Sequence, residues 1–206
     1  MKISKIALAT FAVISMSANA APQHQSSSHG GASHGMANMQ SMHKSSPNAD
    51  NAPYEQQFLD TMAMHHQMAM NMASLVESRA ANRELKDMAK KMIAEQQKEI
   101  AQLKGWKEQW YAGKPEAMNM KMSGMPESMK GMSRDKLSSL KGEKFDRMFV
   151  NMMSQHHKGA IKMAQTAAPK LEHAEVKEFA TKLIVMQTTE VAHMAEMKKS
   201  WGGPKK

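Results

Sequence analysis

From residue 54 onward the apolar positions recur at helical spacing. Ala89, Ile93, Gln96, Ile100 and Leu103 are separated by 4, 3, 4 and 3 residues, and Phe149, Met153, His156, Ala160 and Met163 repeat the same intervals. Such stripes place one face of each helix toward a core. No alternating apolar–polar run suggests a strand. The pattern predicts two helices in residues 54–111, with a break near Ala80-Ala81-Asn82. Two more follow in 143–200, with a break around Pro169-Lys170 and an end at Trp201-Gly202-Gly203-Pro204. Between them, residues 112–142 are rich in Gly, Pro and Met and read as a long loop.

The two helical stretches are copies of one another. Residues 58–110 laid over 149–201, an offset of 91, agree at 17 of 53 positions without a gap. Phe58 meets Phe149, Met62 meets Met153, His65-His66 meets His156-His157, and Met72 meets Met163. Further on, Gln96 meets Gln187, Glu99 meets Glu190 and Trp110 meets Trp201. A hairpin that cannot bury its own apolar face is completed by its duplicate. The expected fold is therefore all-α, a four-helix bundle spanning 53–201 and built from two duplicated helical hairpins.

The N-terminal fifth of the chain differs in character. Lys2 and Lys5 precede an apolar run from Ile6 to about Met16, and Ala18-Asn19-Ala20 supplies small residues before a cut. This is the pattern of a secretory signal peptide, residues 1–20. The run is too short for a span of roughly 20 residues, and no later stretch of the mature chain is apolar enough for one. Export through a cleaved signal peptide, to a periplasmic location, is the expectation. Residues 21–52 are Ser, Gly, Gln, Asn, His and Met with almost no aliphatic content, so a disordered tail is expected there. Residues 202–206 form a short C-terminal tail.

Composition narrows the chemistry. The chain has no Cys and 25 Met. An exported protein without thiolates has thioethers as its soft ligands, which suit Cu(I) and Ag(I) and are poor for Zn(II). The net charge of +9 raises nucleic acid as a partner. No zinc-finger, RRM or KH pattern accompanies it, so nucleic acid is not expected.

The candidate ligands fall into groups. At about 100° per residue, His65 and His66 flank the core direction of the first helix, and His156 and His157 do the same in the copy. Across an antiparallel hairpin they lie near Gln96 and Glu99, and near Gln187 and Glu190. Two readings of this layer stay open: a buried polar layer that fixes packing register, or metal ligation with Gln96, Glu99, Gln187 and Glu190 orienting the imidazoles from behind. Met62, Met72, Met153 and Met163 border it, with adaptable core filling as the plainer role. Met64 and Met68 sit on the far side of the helix and are expected to be exposed. Met118, Met120, Met122 and Met125, followed by Met129 and Met132, are spaced so that neighbouring thioethers could close on one ion. His193 and Met197, one turn apart, form a further candidate pair. In the tail, His24, His29, His34, Met36, Met39, Met42 and His43 offer mixed sites. Glu190-x-x-His193 resembles half of a di-iron motif, but the copy reads Glu99-Ile-Ala-Gln102, so the second His is missing.

Phe58–Ala73 (FLDTMAMHHQMAMNMA), Phe149–Ala164 (FVNMMSQHHKGAIKMA), Gln96-x-x-Glu99-Ile100 and Gln187-x-x-Glu190-Val191 together resemble the bacterial family catalogued as domain of unknown function 305. That family includes CopM-like periplasmic copper-binding proteins. The resemblance covers roughly residues 54–201. It implies a ferritin-like four-helix bundle and a role in copper binding and tolerance. Met62, His65, His66, Met72, Met153, His156, His157 and Met163 match its pattern. Met68 and Met70 depart from the second copy, which has Gly159 and Ile161.

The expected function is a binding protein, not an enzyme. It would sequester or carry Cu(I), with Cu(II) and Ag(I) as further cargo, for copper tolerance or homeostasis. A periplasmic copper exporter or chaperone would be the exchange partner. The alternatives are a metal-dependent redox bundle and a Met-rich module that grips partner proteins. Thioether dominance predicts that Cu(I) and Ag(I) bind much more tightly than Zn(II). Competition titration checks this, and equal or better Zn(II) affinity would contradict it.

Overall fold

The computed structural model describes residues 44–201. The expected signal peptide, residues 21–43 of the expected tail and residues 202–206 lie outside the described residues. Those described are helical, without strands. Helix α1 (Tyr54–Ala73) is followed by one short turn of helix, α2 (Val76–Arg79), and then by α3 (Arg83–Tyr111). Two short helices, α4 (Met125–Met129) and α5 (Arg134–Ser138), lie in the connection. Helices α6 (Gly142–Ala167) and α7 (Ala174–Ser200) complete the fold. Among the described residues no helix is long and apolar enough to cross a membrane.

Helix α1 packs along α3 and α6 along α7, and the two hairpins meet through α1 and α6. The result is the expected four-helix bundle of duplicated hairpins. Its core has two ends on either side of the histidine layer. At one end Phe58, Met62, Leu103, Met163, Phe179 and Leu183 are buried together. At the other, Phe149, Met153, Met194, Met72, Met88 and Met92 occupy the equivalent places. Each equivalent pair is 91 positions apart, so the ends are related as the two copies are, by an approximate two-fold axis. Each end mixes the first helix of one copy with that of the other: Phe58 packs with Met163, and Phe149 with Met72. Neither hairpin has a complete core alone.

The hairpins are also stitched crosswise by carboxylates. Asp146, near the start of α6, accepts hydrogen bonds from the backbone N–H groups of Ala81 (3.1 Å) and Asn82 (3.0 Å) at the turn of the other hairpin. Glu55, its equivalent at the start of α1, accepts from the N–H groups of Glu172 (2.7 Å) and His173 (2.9 Å). Both carboxylates are buried. Each meets donors that a helix start leaves unpaired. Asn82 also caps α3 itself, accepting from the Leu85 N–H at 2.9 Å. His173 caps nothing with its own side chain. Its ring Nδ1 instead joins Glu55, and the face of Trp110 stacks on it at 3.6 Å.

Two expectations need correction. Residues 44–52, placed in the disordered tail, lie against the connection. The Ser46 N–H donates to the Met118 carbonyl at 2.8 Å, the Met120 N–H donates to Ser45 Oγ at 3.0 Å, and a 3-10 turn at Ala49–Asn51 buries Ala49. The segment has little aliphatic surface, so its order comes from hydrogen bonds to another part of the chain, which composition does not reveal. The 112–142 segment is not a plain loop either. Asp60 and Thr61 of α1 accept from the N–H groups of Ala117 and Asn119, and α4 lies against α6.

That contact explains where the copies differ. A Cβ on Gly159 would collide with Ser128 Oγ, and one on Gly124 with the Gly159 carbonyl. Gly124 also has φ 95°, open to glycine and strained for other residues. The first copy has Met68 at this place because no inserted helix presses on it. The clamps generate a prediction. Asp146→Ala leaves two turn N–H groups without an acceptor and should lower stability by about 2 kcal/mol or more. Chemical denaturation checks this, and an unchanged midpoint would contradict the crosswise clamp.

Candidate metal centre

Four imidazoles meet in the middle of the bundle because the duplication brings two His-His pairs face to face. His65 on α1 and His156 on α6 stack with ring centroids 3.6 Å apart, tilted by 31°. His66 and His157 lie outside them, at 6.4 Å and 6.3 Å from their chain neighbours. All four are essentially inaccessible to solvent.

Their partners differ in kind. Ser128 Oγ lies 2.9 Å from His65 Nε2 and directs its own hydrogen toward the carbonyls of Gly124 (2.8 Å) and His156 (3.3 Å). Carbonyls only accept, so Nε2 of His65 is the donor to Ser128. That tautomer leaves His65 Nδ1 with a bare lone pair and no partner. His66 Nε2 lies 2.7 Å from Glu99 Oε2, and His157 Nε2 lies 2.9 Å from Glu190 Oε2. These contacts are close in distance but not aligned as hydrogen bonds. Each carboxylate thus stands beside one outer ring. His156 has no hydrogen-bond partner on either ring nitrogen, and the Oε1 atoms of buried Gln96 and Gln187 are likewise unpartnered.

Burial holds His65 and His156 well below the ordinary imidazole value, reinforced by repulsion from the neighbouring histidines. Both are neutral at pH 7, the state in which imidazole ligates metals. So many nitrogens without a protein partner are uncommon in an interior, where buried polar groups nearly always pair. Among the described residues no group of three or more His, Asp or Glu converges as a ready metal site. An ion in this layer would therefore draw on thioethers as well. Met62 and Met153, one turn before each His pair, are buried and are the candidates for that role.

The other candidates are placed as follows. Met72 and Met163 are buried at opposite ends of the core. Glu99 and Glu190 reach the outer histidines from α3 and α7, and Gln96 and Gln187, three residues before them, are buried. Met118, Met122 and Met125 are buried and Met120 is half-buried, so these thioethers are held by the fold. Met64 and Met68, expected to be exposed, are half-buried, and Met64 packs against the Phe58 end of the core. His193 is exposed, with Nε2 2.8 Å from Glu84 Oε1, whereas Met197 lies inside the core. The structure does not bring these two together. Ser128 is a contributor that sequence periodicity missed. Its signal was Gly159 in place of Met68, which marks where an inserted element presses on α6.

A four-helix bundle with an internal layer of four buried imidazoles, two of them beside carboxylates, defines the class. Residues 55–198 match the family described as Domain of unknown function (DUF305), and the chain belongs to that family. CopM in the Cu(I)-bound form has 30% sequence identity and a TM-score of 0.62, over 72% of this chain and 98% of that one. CopM in the Cu(II)-bound form has 31% identity and a TM-score of 0.62, over 71% and 97%. A putative secreted DUF305 protein from Streptomyces coelicolor shares the fold, at 23% identity and a TM-score of 0.63 over 74% and 96%. No curated protein matches the chain.

The neutral layer has a pH consequence. An unfolded histidine takes up a proton below its ordinary value of 6.5, whereas buried His65 and His156 do not. Their contribution is intact above about 6.5 and is lost as pH falls toward the depressed native values. In that window the folding equilibrium should weaken about tenfold per pH unit for each imidazole. Denaturation of the metal-free protein between pH 7 and pH 5 checks this. Stability rising on acidification would contradict a neutral layer.

Proposed function

We propose that this protein binds Cu(I) as cargo, together with Ag(I) and Cu(II), in an extracytoplasmic compartment, and that it stores or carries the ion without turning over a substrate. The observation that carries this reading is the buried imidazole layer. His65 Nδ1 and both ring nitrogens of His156 have no hydrogen-bond partner, burial keeps these two rings neutral, and Met62 and Met153 stand one turn away. CopM, whose structures hold Cu(I), Cu(II) and Ag, supports the choice of metal. The N-terminal signal-peptide pattern supports the compartment, where a periplasmic exporter or chaperone would exchange the ion.

Ligands held on rigid helices lose little entropy on binding, so the layer should be the highest-affinity site. Thioethers are neutral and exchange readily, which suits a carrier more than a redox catalyst. The inner imidazoles, His65 and His156, would take the ion through nitrogens that the fold leaves free. Glu99 and Glu190 would hold the outer rings and offset the ion's charge.

The test replaces His65, His66, His156 and His157 with Ala and measures both the thermal midpoint and Cu(I) affinity. The expected result is loss of the tightest site by tenfold or more. Unchanged affinity with a lowered midpoint would mean that the histidines are a packing layer alone. Removing residues 21–43, with 44–52 kept for their contacts to the connection, should lower the number of ions bound and leave helix content unchanged. A loss of fold on that truncation would contradict a purely metal-collecting tail.

A further inference from the structure

The two ends of the core are built from equivalent positions but filled with different chemistry. At the Phe58 end, Leu103, Phe179 and Leu183 are buried, with Trp106 packed against them. At the Phe149 end the same four places hold Met194, Met88, Met92 and Met197, all buried. Met72 and Met153 join them there. The Phe58 end has buried methionines of its own, Met62, Met122, Met125 and Met163, but none at these four places. Ordinary packing needs no thioether at these places, since the copy fills them with Leu and aromatic side chains.

A second asymmetry coincides with the first. Ser154 stands where the first copy has Ala63, and its Oγ lies 3.6 Å from Met194 Sδ. A hydroxyl is thus paired with a sulfur at the one end where that sulfur exists. Met88 and Met92 are one turn apart on α3, and Met194 and Met197 one turn apart on α7, so each helix offers two thioethers on one face. Phe145 and Phe149 stack in the same cluster, 5.9 Å between centroids. Their ring faces can offset the charge of a buried monovalent cation.

We infer that the Phe149 end of the bundle is a second, thioether-only site for a soft monovalent ion, formed by Met72, Met88, Met92 and Met194, with Met197 beside them. Met72 follows His65 by seven residues, so the site lies about 10 Å along the helix from the imidazole layer. The inference rests on the proposal that this protein takes up soft metal ions, and it adds a separate location with a separate ligand class. Neutral thioethers bind Cu(I) or Ag(I) without losing protons.

The test uses the full chain without its signal peptide, titrated anaerobically with Ag(I). Bound ions are counted by native mass spectrometry, and the methionine methyl groups are followed by NMR. Met92→Leu with Met194→Leu installs the residues of the opposite end and conserves volume. A quadruple variant adds Met88→Leu and Met197→Leu. The expected result is one ion fewer per chain in the folded double variant, with the wild-type methyl signals of Met88, Met92 and Met194 shifting together. An unchanged ion count in that variant, or methyl signals that stay still while those of other methionines shift, would overturn the inference. A wild-type protein that binds no Ag(I) would overturn the proposed function as well. Binding that depends only on the four histidines would overturn this site alone.

Discussion

Burying four imidazoles in a helical interior is the constraint to which the rest of the structure answers. A charged imidazole there faces the cost of desolvation, which keeps His65 and His156 neutral. Neutral rings still carry polar nitrogens, and the fold satisfies few of them. Ser128 takes one, Glu99 and Glu190 stand close to two more, and the others have no partner. A protein selected for packing alone could place Leu or Met there at no polar cost. The proposed function gives these unpartnered nitrogens a use that packing alone does not.

The duplication explains how such a layer is held without disulfides. Each copy brings one His pair, and the approximate two-fold axis sets His65 against His156. The crosswise carboxylates, Glu55 and Asp146, make each hairpin's turn depend on the other hairpin. Separation of the halves would therefore expose two unpaired helix starts as well as two half-cores. Departures from symmetry then mark special places. Gly159 for Met68 marks where α4 presses on α6 and delivers Ser128 to His65. Methionine for Leu, Phe and Trp marks the Phe149 end of the core.

Much of the fold was legible in the sequence, because apolar spacing and an ungapped repeat are direct consequences of helix packing. The same geometry placed Gln96, Glu99, Gln187 and Glu190 beside the His pairs. What stayed hidden depends on contacts far apart in the chain. The anchoring of residues 44–52 rests on hydrogen bonds to Met118 and Met120, which leave no periodic trace. Glu55 and Asp146 looked like ordinary acidic residues near helix starts, although their 91-residue offset was visible. The connection looked like a loop because short helices capped by Gly124 and Ser133 are too brief to show a period. Met64 and Met68 looked exposed because a single-helix projection cannot include surfaces brought by other elements.

The central claim is that the buried imidazoles are ligands held ready, and one measurement addresses it most directly. Histidine labelled with 15N on the ring reports tautomer and coordination at each nitrogen. In the metal-free protein the account predicts a neutral His65 with its proton on Nε2. On addition of the first equivalent of Ag(I), bare-nitrogen resonances of the His layer should move to coordinated positions. Imidazole signals that remain unmoved through saturation, while methionine methyl signals shift, would contradict it.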